Sequence, residues 1–222
     1  MLNLSDRLLT VARAVLPCTC AADIGTDHAY IPIWLCENGI AKNCIAGDVS
    51  KGSAQKAADN VKMHGLDAQI SVRCGSGLEI LTKFDAVDCI VISGMGGMLM
   101  LDILNGGDIT KVKQLVLQPQ KNISKVRRAL HAFGFKIENE YIVYEENKYY
   151  NIINALRGSE DAYTDTEYLL GKKLLEQKAP LLKSFIAEEE RKYRNILPRT
   201  YGERRAEIEK ILACFEEGKK CL

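Results

Sequence analysis

The chain has almost no net charge: 30 lysines and arginines against 29 aspartates and glutamates leave +1 over 222 residues. That balance excludes a broadly basic nucleic-acid binder, for which a pI above about 9 is usual, so any RNA surface must come from cations sorted onto one face. Long hydrophobic runs are missing too. No stretch approaches the roughly 20 apolar residues that span a bilayer. The opening Met1-Leu2-Asn3-Leu4-Ser5-Asp6-Arg7 reads as no secretory leader, because Asp6 and Arg7 interrupt it. The expectation is a soluble protein of the cytoplasm, with no membrane partner. Eight cysteines are present, yet no C-x-x-C pair and no histidine at zinc-finger spacing accompanies them. Most, such as Cys44 and Cys89, stand in apolar runs where a free thiol behaves as a small hydrophobe; the reading is reduced thiols and no metal. Internal repeats and low-complexity segments are absent. With 47% hydrophobic and 27% charged residues, disorder is excluded and one or two domains with a substantial core are expected.

What is present falls into two regions. Over residues 1–158, short β-like runs alternate with helix-length stretches. The runs are Cys20–Ile24, Cys44–Val49, Ile70–Cys74, Val87–Ile92, Gln114–Gln118, Phe135–Tyr144 and Tyr149–Leu156; segments such as Ser53–Met63 and Lys121–Ala132 separate them. This alternation predicts an α/β domain whose largely parallel sheet is covered on both faces. The last two strands follow each other closely and are expected to be antiparallel, a pattern similar to that of class I methyltransferases. Residues 159–222 carry no β-like run. Their apolar residues recur at helical spacing, Leu170, Leu174, Leu181 and Phe185, then Ile208, Ile211, Leu212 and Phe215. Pro180 is expected to split the first stretch, and Pro198 and Gly202 to mark the turn before a last helix. Charges from 161 onward are again balanced, 13 basic against 12 acidic. The candidates for an RNA grip in this tail are Arg191, Lys192, Tyr193, Arg194, Arg199, Arg204 and Arg205, since cations bind phosphate and tyrosine stacks on bases. A plain helical hairpin with one solvated face is the competing reading.

Three motifs point to chemistry at one sheet edge. In Asp23-Ile24-Gly25-Thr26-Asp27-His28-Ala29-Tyr30-Ile31-Pro32, an acid closes the first strand and a glycine follows two positions later, allowing a tight turn beneath a ligand. A dinucleotide site would carry G-x-G-x-x-G there. Asp27 and His28 stand in place of the later glycines, so a pyrophosphate is disfavoured and a cofactor with an amine, a carboxylate and a ribose fits better. Asp48 closes strand two, 25 residues after Asp23, where an acid accepts hydrogen bonds from ribose hydroxyls. Gly75-Ser76-Gly77-Leu78 would then line the adenine side. Ser93-Gly94-Met95-Gly96-Gly97, after strand four, strips side chains from the place where cofactor and substrate would meet, at a topological switch point.

The chain resembles the bacterial tRNA (adenine(22)-N1)-methyltransferases, which use S-adenosylmethionine. The resemblance rests on Leu4-Ser5-Asp6-Arg7-Leu8, on Asp23 to Pro32, on Gly94-Met95-Gly96-Gly97 and on Leu117-Gln118-Pro119, and the helical tail is similar to that family's coiled-coil extension. Two positions depart from the family pattern: Ser76 stands where Asn or Asp is expected, and Gln120 where Asn is usual. The resemblance implies a Rossmann-like, seven-stranded class I methyltransferase domain with a C-terminal helical, coiled-coil-like extension that contacts tRNA. It implies cofactor contacts from Arg7, Asp23, Gly25, Thr26, His28, Asp48, Val49, Ser76, Gly77, Ser93 and Gly94. Substrate contacts fall to Met95, Gly96, Gly97, Gln118, Pro119 and the tail's Arg191, Lys192, Arg194, Arg204 and Arg205.

The implied reaction moves a methyl group onto adenine N1 in the D-arm of tRNA. That nitrogen carries its own lone pair, so positioning matters more than a strong base. Asp27 is the candidate for stabilising the cationic product ring, with His28 and Tyr30 orienting the loop or stacking on the base. Local unpairing or flipping of the target base is expected, with room for it at the glycine rim. His64 and His131 read as structural, with no acidic partner in register. A class I methyltransferase acting on another RNA or a small molecule, or a catalytically silent RNA-binding relative, remain as alternatives. The missing N/D-P-P-Y/F sequence after strand four favours ring-nitrogen over exocyclic-amine methylation. The sequence leaves the oligomeric state open, a monomer included.

Overall fold

The computed structural model describes residues 2–222. A single seven-stranded sheet has the order β3-β2-β1-β4-β5-β7-β6. Its strands are β1 (Cys18–Ile24), β2 (Ala41–Asp48), β3 (Ile70–Cys74), β4 (Cys89–Met95), β5 (Gln114–Pro119), β6 (Phe135–Glu145) and β7 (Lys148–Arg157). β3, β2, β1, β4 and β5 pair in parallel, and β7 enters antiparallel between β5 and β6. The Rossmann-like methyltransferase sheet expected from the sequence is thus present. Each run is found as a strand, with ends moved by up to three residues. β4 reaches Met95, past the expected end at Ile92, so Gly94 lies in the irregular end of the strand.

Strand residues alternate between two apolar layers, as the period of a sheet covered on both sides requires. Val91, Val116 and Ile152 pack with α1 (Asp6–Ala14), α2 (Tyr30–Glu37) and α3 (Lys51–Met63) through Val11, Ile33, Leu35 and Val61. Ile90, Ile92, Leu115, Leu117 and Ile153 face the opposite way, against Met100 and Leu104 of α4 (Gly97–Asn105) and Val126 and Leu130 of α5 (Ile123–Ala132). Each such side chain, fully buried, contributes about 1.5–3 kcal/mol of transfer free energy. Helix starts follow local chemistry: the Ser5 and Ser50 hydroxyls accept from the backbone N–H of Leu8 and Ser53.

The tail is α6 (Asp165–Leu170), α7 (Lys172–Glu176), α8 (Leu182–Ile196) and α9 (Gly202–Lys220), with a 3₁₀ turn at Leu197–Arg199. Thr164 and Glu167 form a reciprocal capping box at the start of α6. Leu170, Leu174, Leu182, Ile186, Ile208, Leu212 and Phe215 are buried in a third apolar cluster, against which Ile142 of β6 packs; Leu182 and Ile186 take the places expected for Leu181 and Phe185, and Phe185 and Ile211 are only partly buried against it. Besides the break expected at Pro180, the tail breaks after α6 at Gly171 (φ +96°).

That break sits on a buried ion pair. Arg127 and Glu140 are both fully buried, with Arg127 Nε donating to Glu140 Oε1 at 2.6 Å. Arg127 Nη1 donates to the carbonyls of Tyr168 and Leu169 at the end of α6, and the Lys173 N–H at the start of α7 donates to Glu140 Oε2 (3.1 Å). The cation meets the carbonyl end of one helix and the anion the amide end of the next, the favourable sense of both helix dipoles. A Cβ on Gly171 would stand 2.8 Å from both Arg127 Nη2 and Glu140 Oε2, so only glycine fits.

Both histidines read as structural have acidic partners after all: His64 Nδ1 lies 2.7 Å from Glu37 Oε1, and His131 Nε2 lies 3.0 Å from Glu160 Oε1. These carboxylates come from distant sequence, out of reach of a register argument. Five of the eight free cysteines are buried. No described helix is long and apolar enough to cross a membrane.

Candidate active site

The C-terminal ends of β1, β4 and β5 carry Asp23, Ser93 and Gln118 on one face of the sheet, with Asp48 beside them on β2. Gly25 makes the turn after β1 at φ +83°, and the N–H groups of Gly25 and Thr26 both donate to the Gly47 carbonyl (2.8 and 2.9 Å). This ties the first loop to the end of β2. Thr26 is buried, its hydroxyl accepting from the Ala29 N–H (3.0 Å) and hydrogen-bonded to Asp23. Burial pushes the Asp23 carboxyl up to about 7; the Thr26 hydrogen bond opposes this and the charge of Asp48 adds to it. Ionising Asp23 therefore costs free energy in the fold, and a cation placed against it would draw its proton off.

Asp48 Oδ1 accepts from the Ser50 N–H at 2.7 Å, and its second oxygen has no protein partner among the described residues. Val49 stands exposed at the rim, and Ser76 is exposed with no capping bond from its side chain. Gly77 (φ +50°) begins the turn beyond it.

The glycine rim divides in two. At Gly94 (φ +78°) and Gly96 a Cβ would meet nothing within 4 Å, so bare backbone faces open space there. Gly97 does not face a ligand as expected: its N–H donates to the Lys121 carbonyl (3.0 Å), and a Cβ would come within 2.6 Å of that oxygen. Close packing of the β4 and β5 turns is what demands glycine at this position. Met95, half-buried, reaches back toward Gly25, where its Cε would stand 2.5 Å from an added Cβ. It lies across the first loop.

Gln118 is fully buried, and its Oε1 accepts from both Arg7 Nη1 (3.1 Å) and the Gly94 N–H (3.2 Å). Two donors on one oxygen fix the orientation of the amide. Its Nε2 has no partner in the described chain, a buried donor that a ligand acceptor would satisfy. Pro119 is buried opposite Met95, and the Gln120 N–H donates to the Met95 carbonyl, so Pro119 shapes the rim from within the sheet. Arg7 is far from an idle helix arginine. Besides Gln118 it holds Glu145 through its backbone N–H (2.9 Å) and guanidinium (3.6 Å), and lies 5.2 Å from the Tyr150 ring.

Asp27 and His28 lie in the loop after β1 and Tyr30 opens α2, but Asp27 leans toward α3. Hydrogen bonding to Ser53, with the charges of His28 and Lys56, holds its carboxyl below the usual range. His28 Nε2 lies 3.1 Å from Asp27 Oδ2 and Lys56 Nζ 3.6 Å from Oδ1. His28 stacks on Tyr30 at 4.9 Å and 9°, and the carbonyl of His28 accepts from Asn60 Nδ2 (3.0 Å). Ser53, Lys56, Asn60, Glu145 and Tyr150 thus position the site, and no local spacing marked them.

Of the tail cations, Lys192 pairs with Glu188 and Glu189, Arg194 with Glu190 and Glu216, Arg204 with Glu207, and Arg205 with Glu209. Among the described residues only Arg191 of the five has no ion-pair partner. Four of the five are thus paired with carboxylates of the tail itself. No group of three or more metal-ligating side chains gathers among the described residues.

Comparison with known proteins agrees with this architecture. Residues 21–217 match the family model described as tRNA (adenine(22)-N(1))-methyltransferase. A Bacillus subtilis protein of that name is 39% identical over 166 residues, 74% of this chain and 69% of its own length. A Streptococcus pneumoniae structure solved with S-adenosyl-L-methionine superposes with a TM-score of 0.90 at 33% identity, covering 97% of this chain and 99% of the other. The M. capricolum TrmK complex with S-adenosyl-homocysteine gives 0.89 at 27% identity, covering 98% of each chain. With the D-I-G-T-D-H-A-Y loop, Asp48 and the open glycine rim on one sheet edge, the chain belongs to the tRNA (adenine(22)-N(1))-methyltransferase family.

Proposed function

We propose that the protein transfers the methyl group of S-adenosylmethionine to N1 of adenine 22 in the D-arm of bacterial tRNA, working in the cytoplasm as residues 1–158 for chemistry and 159–222 as the extension. The carrying observation is the bare backbone at Gly94 and Gly96 beside Asp23, Asp48 and Gln118, a cleft without side chains where two planar groups can meet. The donor set fits the cofactor. Asp48 has one oxygen free for ribose hydroxyls, Asp23 is the acid available to an ammonium, and no glycine-rich cradle invites a pyrophosphate.

When bound, S-adenosylmethionine supplies an electrophilic methyl on a sulfonium. The chain's own residues hold and exclude. Asp48, Val49, Ser76 and Gly77 seat the nucleoside, while Gly25 and Thr26 keep the first loop out of its way. Gln118 fixes Gly94, so the adenine ring enters over a rigid floor; its N1 lone pair needs no base. Positioning of this kind is worth several kcal/mol of barrier. Asp27, hydrogen-bonded to Ser53 and lying beside Lys56 and His28, acts mainly by holding the His28–Tyr30 stack, a flat aromatic surface beside the entrance.

Labelled methyl transfer to unmodified tRNA transcripts tests the reading: incorporation is expected with adenine at position 22 and background counts with guanine there. Robust transfer to the guanine transcript would overturn it. Asp48→Ala is expected to weaken S-adenosylmethionine binding about tenfold in calorimetry, about 1.4 kcal/mol; unchanged affinity would remove the ribose assignment.

A further inference from the structure

A groove of about 810 Å³ opens beyond the glycine rim, with the start of α5 and the β6–β7 hairpin as one wall and α8 and α9 as the other. Seven cations line it, but they are unequal. On the tail wall Lys192 is held by Glu188 and Glu189, Arg204 by Glu207, and Lys210 by Asp165, which also holds Arg128. On the facing wall Lys121, Lys125 and Lys148 are exposed and have no carboxylate partner among the described residues. The uncompensated charge therefore lies on one side. That side adjoins the chemistry, because the Lys121 carbonyl accepts from the Gly97 N–H. Half-buried rings stand in the same groove: Tyr149 and Tyr150 beside the lysines, Phe185 and Tyr193 across from them.

Free cations along a path with aromatic faces are what a single nucleic-acid strand uses, phosphates on the lysines and bases on the rings. We propose that a strand of the tRNA substrate flanking the target base lies in this groove, its phosphates on Lys121, Lys125 and Lys148. This rests on the tRNA reading above and places the grip on the catalytic wall, with the tail as a buttress that shapes the groove. An acidic protein segment is the weaker fit: the tail wall would confront it with Glu188, Glu189 and Glu207, and the rings would have no bases to receive.

The test compares the wild type with Lys121→Gln/Lys125→Gln/Lys148→Gln, using an unmodified tRNA transcript with adenine at position 22. The triple variant is expected to bind this tRNA about tenfold more weakly at about 0.15 M salt, and the slope of log affinity against log salt to shrink by roughly 2 to 3. S-adenosylmethionine affinity should stay within about twofold. Arg204→Gln/Arg205→Gln, whose arginines are already paired, should leave tRNA affinity within about twofold. An unchanged salt slope in the triple variant, or a larger loss in the arginine variant, overturns the groove. If the wild type methylates the transcript and the triple variant keeps full affinity, the groove fails while the methyltransferase reading stands. A wild type that neither binds nor methylates the transcript sinks both. If the triple variant loses binding of poly-L-glutamate but not of tRNA, the groove belongs to an acidic protein and the proposal is overturned.

Discussion

Arg127→Ala is expected to lower folding stability by about 3–5 kcal/mol, the cost of leaving a buried charge without its partner. Glu140 would be stranded in the interior, and the Tyr168 and Leu169 carbonyls would lose their shared donor. Urea unfolding reads the loss as a lowered midpoint at similar slope. Replacing both charges, as in Arg127→Met/Glu140→Leu, should recover only part of it: the apolar pair removes the stranded charge but leaves those carbonyls and the Lys173 N–H unmatched. A loss below about 1 kcal/mol in the single variant would show that other contacts dock α6 and α7 onto the sheet.

Gln118→Ala is expected to reduce kcat/KM for tRNA methylation about 100-fold, about 2.7 kcal/mol of barrier, with cofactor affinity changed by less than about threefold. Removing the amide frees the Gly94 N–H and Arg7 Nη1 together, so the floor of the rim and the opening helix lose their common anchor. Because the residue acts through Gly94, the fall should be in kcat more than in KM. Gln118→Glu separates the two halves of the side chain. It keeps an acceptor for Arg7 and Gly94 but lacks the Nε2 donor, and a loss of about tenfold is expected if a ligand uses that donor. Wild-type rates in Gln118→Glu would show that Nε2 has no partner in the reacting complex, and wild-type rates in Gln118→Ala would remove the positioning role altogether.

The sheet was legible because its strands are written as apolar runs, most of them closed by Asp or Gly, and because the two apolar layers alternate along the strands. Asp23, Gly25, Asp48 and Gly94 were legible for the same reason: each lies in the last residues of a strand or in the turn that follows it, and the parallel order brings those ends to one edge. What could not be read depends on long-range approach. Gly97 and Gly94 look alike in sequence, yet one meets a carbonyl from the next turn and the other open space. The tail arginines looked free because their partners lie three or four residues away on the same helix or, for Arg194, across on α9, and a count of charges does not record pairing. Arg127 and Glu140 are 13 positions apart on different elements, and neither type announces burial.

The place of β7 has a consequence for how the chain is made. β5 is buried along its whole length, yet the strand that seals its outer side is the last to leave the ribosome. β6 is synthesised earlier but cannot fill the gap, since β7 is its neighbour and separates it from β5. Until Arg157 emerges, the nascent sheet therefore carries an open edge of Leu115, Val116 and Leu117, the kind of edge that templates unwanted pairing. The rim at Gln118 and Gly94 borders that seam, so this side of the site is complete only when the chain through Arg157 is available to pair with β5.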